Sequence, residues 1–155
     1  MSHEYTYDIS MFRDTFETRF TYLNGFLRNV SRFGDRPAVF DPHSDRRWTY
    51  RELNAEANRL AHALRADGVG KNDVVMFTLL NSPEFVFCYL AAHKIGAVAC
   101  PVNYRQGAGE IALVIDDSTP KAFIYDAEFG ELSGGALDLC ESKPAIKIVV
   151  GADDA

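Results

Sequence analysis

Six residues come nearest to a pattern that binds a cofactor. Gly107-Ala108-Gly109-Glu110-Ile111-Ala112 fits G-x-G-x-x-A, follows a strand-like run, and precedes Asp126 by nearly the ~20 residues at which a carboxylate would meet a ribose. Such glycines let a backbone approach a pyrophosphate at a helix N-terminus. Two features argue against a dinucleotide. Asn103 to Gln106 separate the glycines from the strand, where the turn should follow at once. Glu110 also sets a carboxylate where the phosphate should sit. Gly70-Lys71 is not a Walker loop, because Asn72 follows and both the upstream glycine and the Ser/Thr hydroxyl are missing. Gly68-Val69-Gly70 joins a helix to a strand, at the edge of a sheet opposite to phosphate sites, so helix termination is the expected role.

Metal and nucleophile chemistry find less. His3, His43, His62 and His93 show no ligand spacing, and Cys88, Cys100 and Cys140 form no C-x-x-C. His93 is expected to be a helix residue with an ordinary hydrogen bond. Asp116-Asp117 and Asp153-Asp154 are adjacent acids, but neighbours on a helix point in different directions and the second pair lies at a chain end, so solvated charge is expected of both. No serine occupies a G-x-S-x-G elbow. No catalytic residue and no metal ligand is therefore assigned. Open α/β sheets bind ligands beyond the carboxyl ends of their strands, which makes Asn81 (with Ser82), Asn103, Arg105 and Asp126 the candidate binding positions, with helix capping and sheet-edge hydrogen bonds as the competing explanation.

The elements that must hold these positions alternate along the chain. Phe12, Phe16, Phe20, Leu23, Leu27 and Val30 recur at threes and fours and predict one amphipathic helix after the caps Asp8 and Ser10. Acids among its arginines favour packing on its own domain over a membrane surface. Ala38 to Phe40 and Arg46 to Trp48 flank a turn at Asp41 to Asp45 and read as a hairpin. Thr49 and Glu52 have capping-box spacing, and Leu53, Ala57, Leu60 and Leu64 make a helical stripe closed by Gly68. A buried strand is expected from Asp73 to Leu80, then a helix with Ser82 as N-cap, Pro83 at its first position and Gly96 at its end. Strands at Ala97 to Val102, Ala122 to Tyr125 and Ile146 to Val150 alternate with helices at Gly109 to Asp117 and Ala127 to Cys140. The fold class is α/β, a mainly parallel sheet flanked by helices, with an amino-terminal helical region over 1–34 and the α/β portion over 35–155.

Composition agrees with one globular unit: 155 residues, 47% hydrophobic and 12% aromatic. The net charge of −6 and the lack of a Lys/Arg cluster argue against nucleic acid. Three cysteines, two of them inside apolar runs, suit a reducing cytoplasm. The opening residues lack the basic and apolar regions of a signal peptide, and no apolar run reaches the ~20 residues of a transmembrane helix.

Several blocks read together carry a resemblance. Asp35-Arg36-Pro37-Ala38, Trp48-Thr49-Tyr50-Arg51-Glu52-Leu53, Asn58-Arg59-Leu60-Ala61, Gly68 to Val75, Asn81-Ser82-Pro83-Glu84-Phe85 and Gly96 to Arg105 resemble the amino-terminal part of the AMP-forming adenylate superfamily, continued by Glu110-Ile111 and Asp117-Ser118. The superfamily includes acyl-CoA synthetases, nonribosomal adenylation domains and luciferases. The resemblance implies the large amino-terminal domain of an acyl-adenylate-forming enzyme that joins a carboxylic acid to AMP from ATP and passes the acyl group to a thiol. ATP, Mg2+ and coenzyme A are the implied cofactors of a parent several times longer, and a homodimer is an implied assembly. Asn103-Tyr104-Arg105 resembles the stretch seen in acyl-CoA synthetases, which favours CoA over a carrier-protein thiol. The family's Ser/Thr/Gly-rich loop with its lysine, adenine-binding stretch, ribose-binding aspartate and catalytic lysine have no counterpart here, so the segment is expected to be inactive alone and to bind none of these cofactors tightly. The alternatives are a carrier-protein-loading adenylation enzyme, an NAD-binding oxidoreductase module built on Gly107 to Ala112, and a noncatalytic module that self-associates through the Phe12 to Val30 stripe.

Overall fold

The computed structural model describes residues 8–151. Its first element departs from the single helix that the apolar period predicts. A short helix α1 (Ile9–Arg13) runs into a π-helical turn (Asp14–Arg19), the chain leaves helical geometry at Phe20, and α2 (Tyr22–Phe33) begins afresh. The break has a local cause. Thr21 is extended and its hydroxyl accepts the Asn24 N–H at 3.2 Å, an N-cap, while the Asn24 side-chain amide donates to Thr18 O at 3.0 Å and Arg19 O at 3.3 Å. The stripe is therefore divided. Phe12, Phe16 and Phe20 form a row of rings 43%, 51% and 68% exposed, whereas Phe26 of α2 is buried and Leu23 and Val30 pack around it. Packing on the body, expected of the whole stripe, holds only for its second half.

The hairpin follows, β1 (Pro37–Asp41) antiparallel to β2 (Arg46–Thr49), with Val39 opposite Trp48. Asp41 shapes the turn by accepting the His43 N–H and the Ser44 hydroxyl. Helix α3 (Tyr50–Ala66) opens on the predicted capping box: the Glu52 N–H donates to Thr49 Oγ1 at 3.2 Å, and the Thr49 N–H to Glu52 Oε2 at 2.8 Å. It ends at Gly68, whose φ of 88° only glycine adopts readily.

The remaining strands β3 (Val74–Thr78), β4 (Val98–Pro101), β5 (Ala122–Asp126) and β6 (Ile146–Val150) pair in parallel in the order β4-β3-β5-β6. Helices α4 (Pro83–Ile95), α5 (Ala108–Ser118) and α6 (Gly130–Leu139) connect them, α6 being preceded by a 3-10 turn (Ala127–Phe129). Alternation along the strands supplies two cores. Val75, Phe77 and Ile124 pack with Leu64 of α3 and Cys88 and Ala91 of α4, while Met76 and Phe123 pack with Ile111 and Ile115 of α5 and Ala136 of α6. A third cluster, Phe26, Trp48, Leu53, Ala57 and Leu90, seats α2 and the hairpin on α3 and α4. Lys94 ties these helices by donating to Asn54 Oδ1 at 2.7 Å, and its desolvation pulls the ammonium below its usual pKa. At the amino edge of the sheet, Asp73 accepts the Gly70 N–H at 2.8 Å and the Lys121 ammonium at 3.0 Å, which hold its carboxyl below the usual range.

Candidate functional site

The chain leaves β3 toward β4 through α4 on one face and returns past β3 to β5 through α5 on the other. The strand order thus reverses between β3 and β5, and the crevice beyond their carboxyl ends is where a sheet of this topology takes a ligand. Asn81 and Ser82 leave β3 there, Asp126 ends β5, and Asn103 to Arg105 follow β4.

The four predicted positions do not converge. Asn81 and Ser82 line a groove of about 280 Å3 beside Val39 to Pro42 of the hairpin, and neither Asn103 nor Arg105 reaches it. Asn103 Oδ1 accepts the Arg105 N–H at 3.0 Å, a local turn. The exposed Arg105 guanidinium lies 5.8 Å from the Tyr104 ring, which stacks on Phe129 with centroids 4.9 Å apart. Asp126 Oδ1 accepts the Glu128 N–H at 3.0 Å and caps the turn into α6.

The glycine pattern is explained by helix initiation. Glu110 reaches back to accept the Gly107 N–H at 2.8 Å, so the first turn of α5 carries its own carboxylate where a pyrophosphate would lie. Gly107 has an ordinary φ of −74°, and a Cβ at Gly109 would meet nothing within 4 Å. Neither glycine serves a close backbone approach. Acids occupy the first turns of α3, α4 and α6 as well, Glu52, Glu84 and Glu131, and Pro83 removes one N–H from α4. The residues present do not fit a triphosphate.

Other side chains differ from expectation. Asp116 is not merely solvated: Oδ1 accepts the N–H groups of Glu141 at 2.9 Å and Ser142 at 2.8 Å. The His93 ring makes aromatic contacts, with centroids 4.8 Å from Tyr89 and 5.8 Å from Tyr22. Asp153, Asp154 and His3 lie outside the described residues. Ser82 stands at the N-cap of α4, yet its Oγ makes no capping bond and is buried without a partner, as are Thr78 Oγ1 and Ser133 Oγ. Thr78, at the end of β3, and Ser133, on α6, escape sequence reasoning. The only signal for Thr78 is a hydroxyl closing an otherwise apolar strand, and Ser133 sits in a helix with no marked face. Among the described residues no three His, Cys, Asp or Glu side chains gather as metal ligands, and no helix is long and apolar enough to cross a membrane.

The sequence model of the family described as "AMP-binding enzyme" matches residues 26–155. The chain belongs to the AMP-binding enzyme family. Over 112 residues it is 43% identical to the 3-hydroxybenzoate--CoA/4-hydroxybenzoate--CoA ligase of Thauera aromatica, a match that covers 72% of this chain and 21% of that protein. Over 116 residues it is 43% identical to the long-chain-fatty-acid--CoA ligase FadD13 of Mycobacterium tuberculosis, covering 75% of this chain and 23% of the relative. Among solved structures, the Mycobacterium tuberculosis fatty acyl CoA synthetase superposes with a TM-score of 0.77 at 32% identity, over 85% of this chain and 27% of that one. The chain thus spans about a fifth of the length of these curated AMP-binding relatives. Within that span the family fold is an α/β domain with a parallel sheet between helices, as the alternation of elements predicts.

Proposed function

We propose that this chain supplies the opening part of the AMP-binding domain of an ATP-dependent, AMP-forming acyl-CoA synthetase. The observation that carries the reading is the family match over residues 26–155, joined to relatives named as CoA ligases. In the proposed reaction a carboxylate oxygen attacks the α-phosphorus of ATP, the bond to the bridging oxygen breaks, and pyrophosphate leaves with the electron pair. The CoA thiolate then attacks the acyl carbonyl carbon and AMP leaves, giving the thioester. CoA is preferred to a carrier-protein thiol because the relatives' names specify it.

On this reading the chain is scaffold rather than catalyst. The first turns of α3 to α6 carry acids, and the sequence holds no Ser/Thr/Gly-rich loop with a lysine, so ATP and CoA are met mainly by residues beyond this span. Mg2+ enters only as the counterion of ATP. Free Cys88, Cys100 and Cys140 support a cytoplasmic setting.

The test is carboxylate-dependent ATP–pyrophosphate exchange across short, medium, long and aromatic acids, run on the 155-residue chain and on the full reading frame that contains it. Exchange and thioester formation are expected from the full frame alone. Exchange by the chain itself would overturn the scaffold role, and a full frame that adenylates no acid would overturn the ligase reading.

A further inference from the structure

The segment ahead of the break at Phe20 is an arm. It consists of the five residues of α1 and the six of the π-helical turn, and no side chain of either is buried. Isolated helices shorter than ~12–15 residues are marginal in water, so an arm of this length keeps its form by packing on another surface. Ile9, Met11, Phe12, Phe16 and Phe20 are all exposed and together present about 500 Å2 of apolar surface, a patch of the size that is often functional on a soluble monomer. The arm precedes residues 26–155, so the family match does not account for it.

The same chain carries a surface that fits the arm. Between α2, the hairpin and α4 runs an open groove of about 490 Å3, with Phe26, Val39, Leu53, Val86 and Leu90 as its apolar floor. No residue of the arm lines it. The Asn24 amide, bonded to Thr18 O and Arg19 O, fixes how the arm leaves α2, and in that pose the arm stays off its own groove. Charge agrees with apolar fit. Arg28 stands at the rim, no carboxylate lines the groove, and Arg28 makes no salt bridge among the described residues. Glu17, beside Phe16 on the arm, has only an exposed pair with Arg13 at 3.8 Å, a contact that exchanges at little cost.

We propose that two copies of this chain exchange arms, Phe16 and its neighbours lying over Val39, Val86 and Leu90 of the second copy and Glu17 pairing there with Arg28. The arm leaves from α2, which is itself a wall of the groove, so both exchanges fall in one two-fold interface that closes without forming a filament. Two arms on two grooves cover about 1,200 Å2 over both copies, the low end of specific interfaces. A Kd of ~10–100 µM is expected, and the dilute chain is monomeric. The interface does not depend on the ligase reading, because it uses only the arm, α2, the hairpin, α3 and α4.

The test is sedimentation equilibrium of the 155-residue chain from micromolar to millimolar concentration, with NMR on a mixture of isotope-labelled and unlabelled chains. A reversible dimer is expected, with contacts between chains from the Phe16 ring to the Val86 and Leu90 methyls. Phe16→Ser, at an exposed position that the fold does not need, should raise the Kd about tenfold or more. Glu17→Arg and Arg28→Glu should each raise it several-fold, since each substitution counts twice in a two-fold dimer, and the double swap should restore it. A chain still monomeric at millimolar concentration, Phe16 contacts to Val86 within a monomer, a dimer indifferent to Phe16→Ser, or a charge swap that restores nothing would each overturn the proposal.

Discussion

Replacing Asp116 by alanine should destabilise the chain by about 2–3 kcal/mol, well outside the roughly ±0.5 kcal/mol of an ordinary surface substitution. One oxygen of this carboxylate accepts two backbone N–H groups, Glu141 at 2.9 Å and Ser142 at 2.8 Å, and so ties the last turn of α5 to the loop between α6 and β6. A hydrogen bond to a charged acceptor contributes about 1.5–3 kcal/mol net. The Ser142 bond is part-buried and the Glu141 bond exposed, so one nearly full contribution and a fraction of a second give the figure. Asp116→Asn keeps a neutral acceptor and should lose about 1 kcal/mol. Urea unfolding at 25 °C followed by circular dichroism is the assay. With a slope of about 2 kcal/mol/M, Asp116→Ala should lower the midpoint by about 1 M and leave the slope unchanged. A loss under about 0.5 kcal/mol for the alanine variant would return Asp116 to the solvated role that its adjacency to Asp117 suggests, and would refute the tie between α5 and the loop that follows α6.

Two further perturbations separate parts of the fold. Burial, with the nearby Glu84 charge adding to it, pushes the Cys88 thiol from 9.0 up to about 12. Because the folded value exceeds the unfolded one, its contribution to stability is complete below pH 9 and lost as pH rises toward about 12. The urea midpoint should fall over that window by an increment missing from Cys88→Ala, and alkylation of Cys88 at pH 8 should require unfolding. In the amino-terminal helices, Phe26→Ala should cost about 3–5 kcal/mol and Phe16→Ala no more than about 0.5. Phe26 is 8% exposed in the third core cluster and Phe16 is 51% exposed ahead of the break. Similar losses in calorimetry for the two would contradict a break at Phe20.

The order of elements is legible because their ends are written in neighbouring residues. Thr49 with Glu52, Pro83 after Ser82, and the left-handed glycines Gly68 and Gly96 act within four positions of the helix end they mark. What the sequence hides depends on distance. The order β4-β3-β5-β6 follows from helices packing on opposite faces, and no residue in Val74–Thr78 names Val98–Pro101 as its neighbour. The partners of Asp116 lie 25 and 26 residues on. The break at Phe20 is a different case, since Thr21 and Asn24 supply a cap locally while the apolar period runs through it unbroken. At the site, each candidate is legible as a strand end, but whether strand ends converge is set by tertiary packing, and Asn81 faces the hairpin while Asn103 folds back on Arg105.

The same residues explain why family membership and chemistry separate in this chain. The blocks that carry the resemblance are the ones that build: Trp48 is a buried core residue, Thr49 and Glu52 cap a helix, Gly68 and Gly96 take φ of 88° and 74°, and Asn103 closes a turn. None of these roles depends on an acyl group. The chain is 43% identical both to a ligase named for hydroxybenzoates and to one named for long-chain fatty acids, so identity over this span does not distinguish their acyl groups. The acid-capped helix N-termini have the same logic. At the carboxyl edge of an open sheet, N–H groups left unsatisfied would attract any phosphate, and Glu84 and Glu110 supply internal negative charge there instead. An edge prepared in this way already carries its own negative charge, so Glu84 and Glu110 serve the start of α4 and α5 in this sheet.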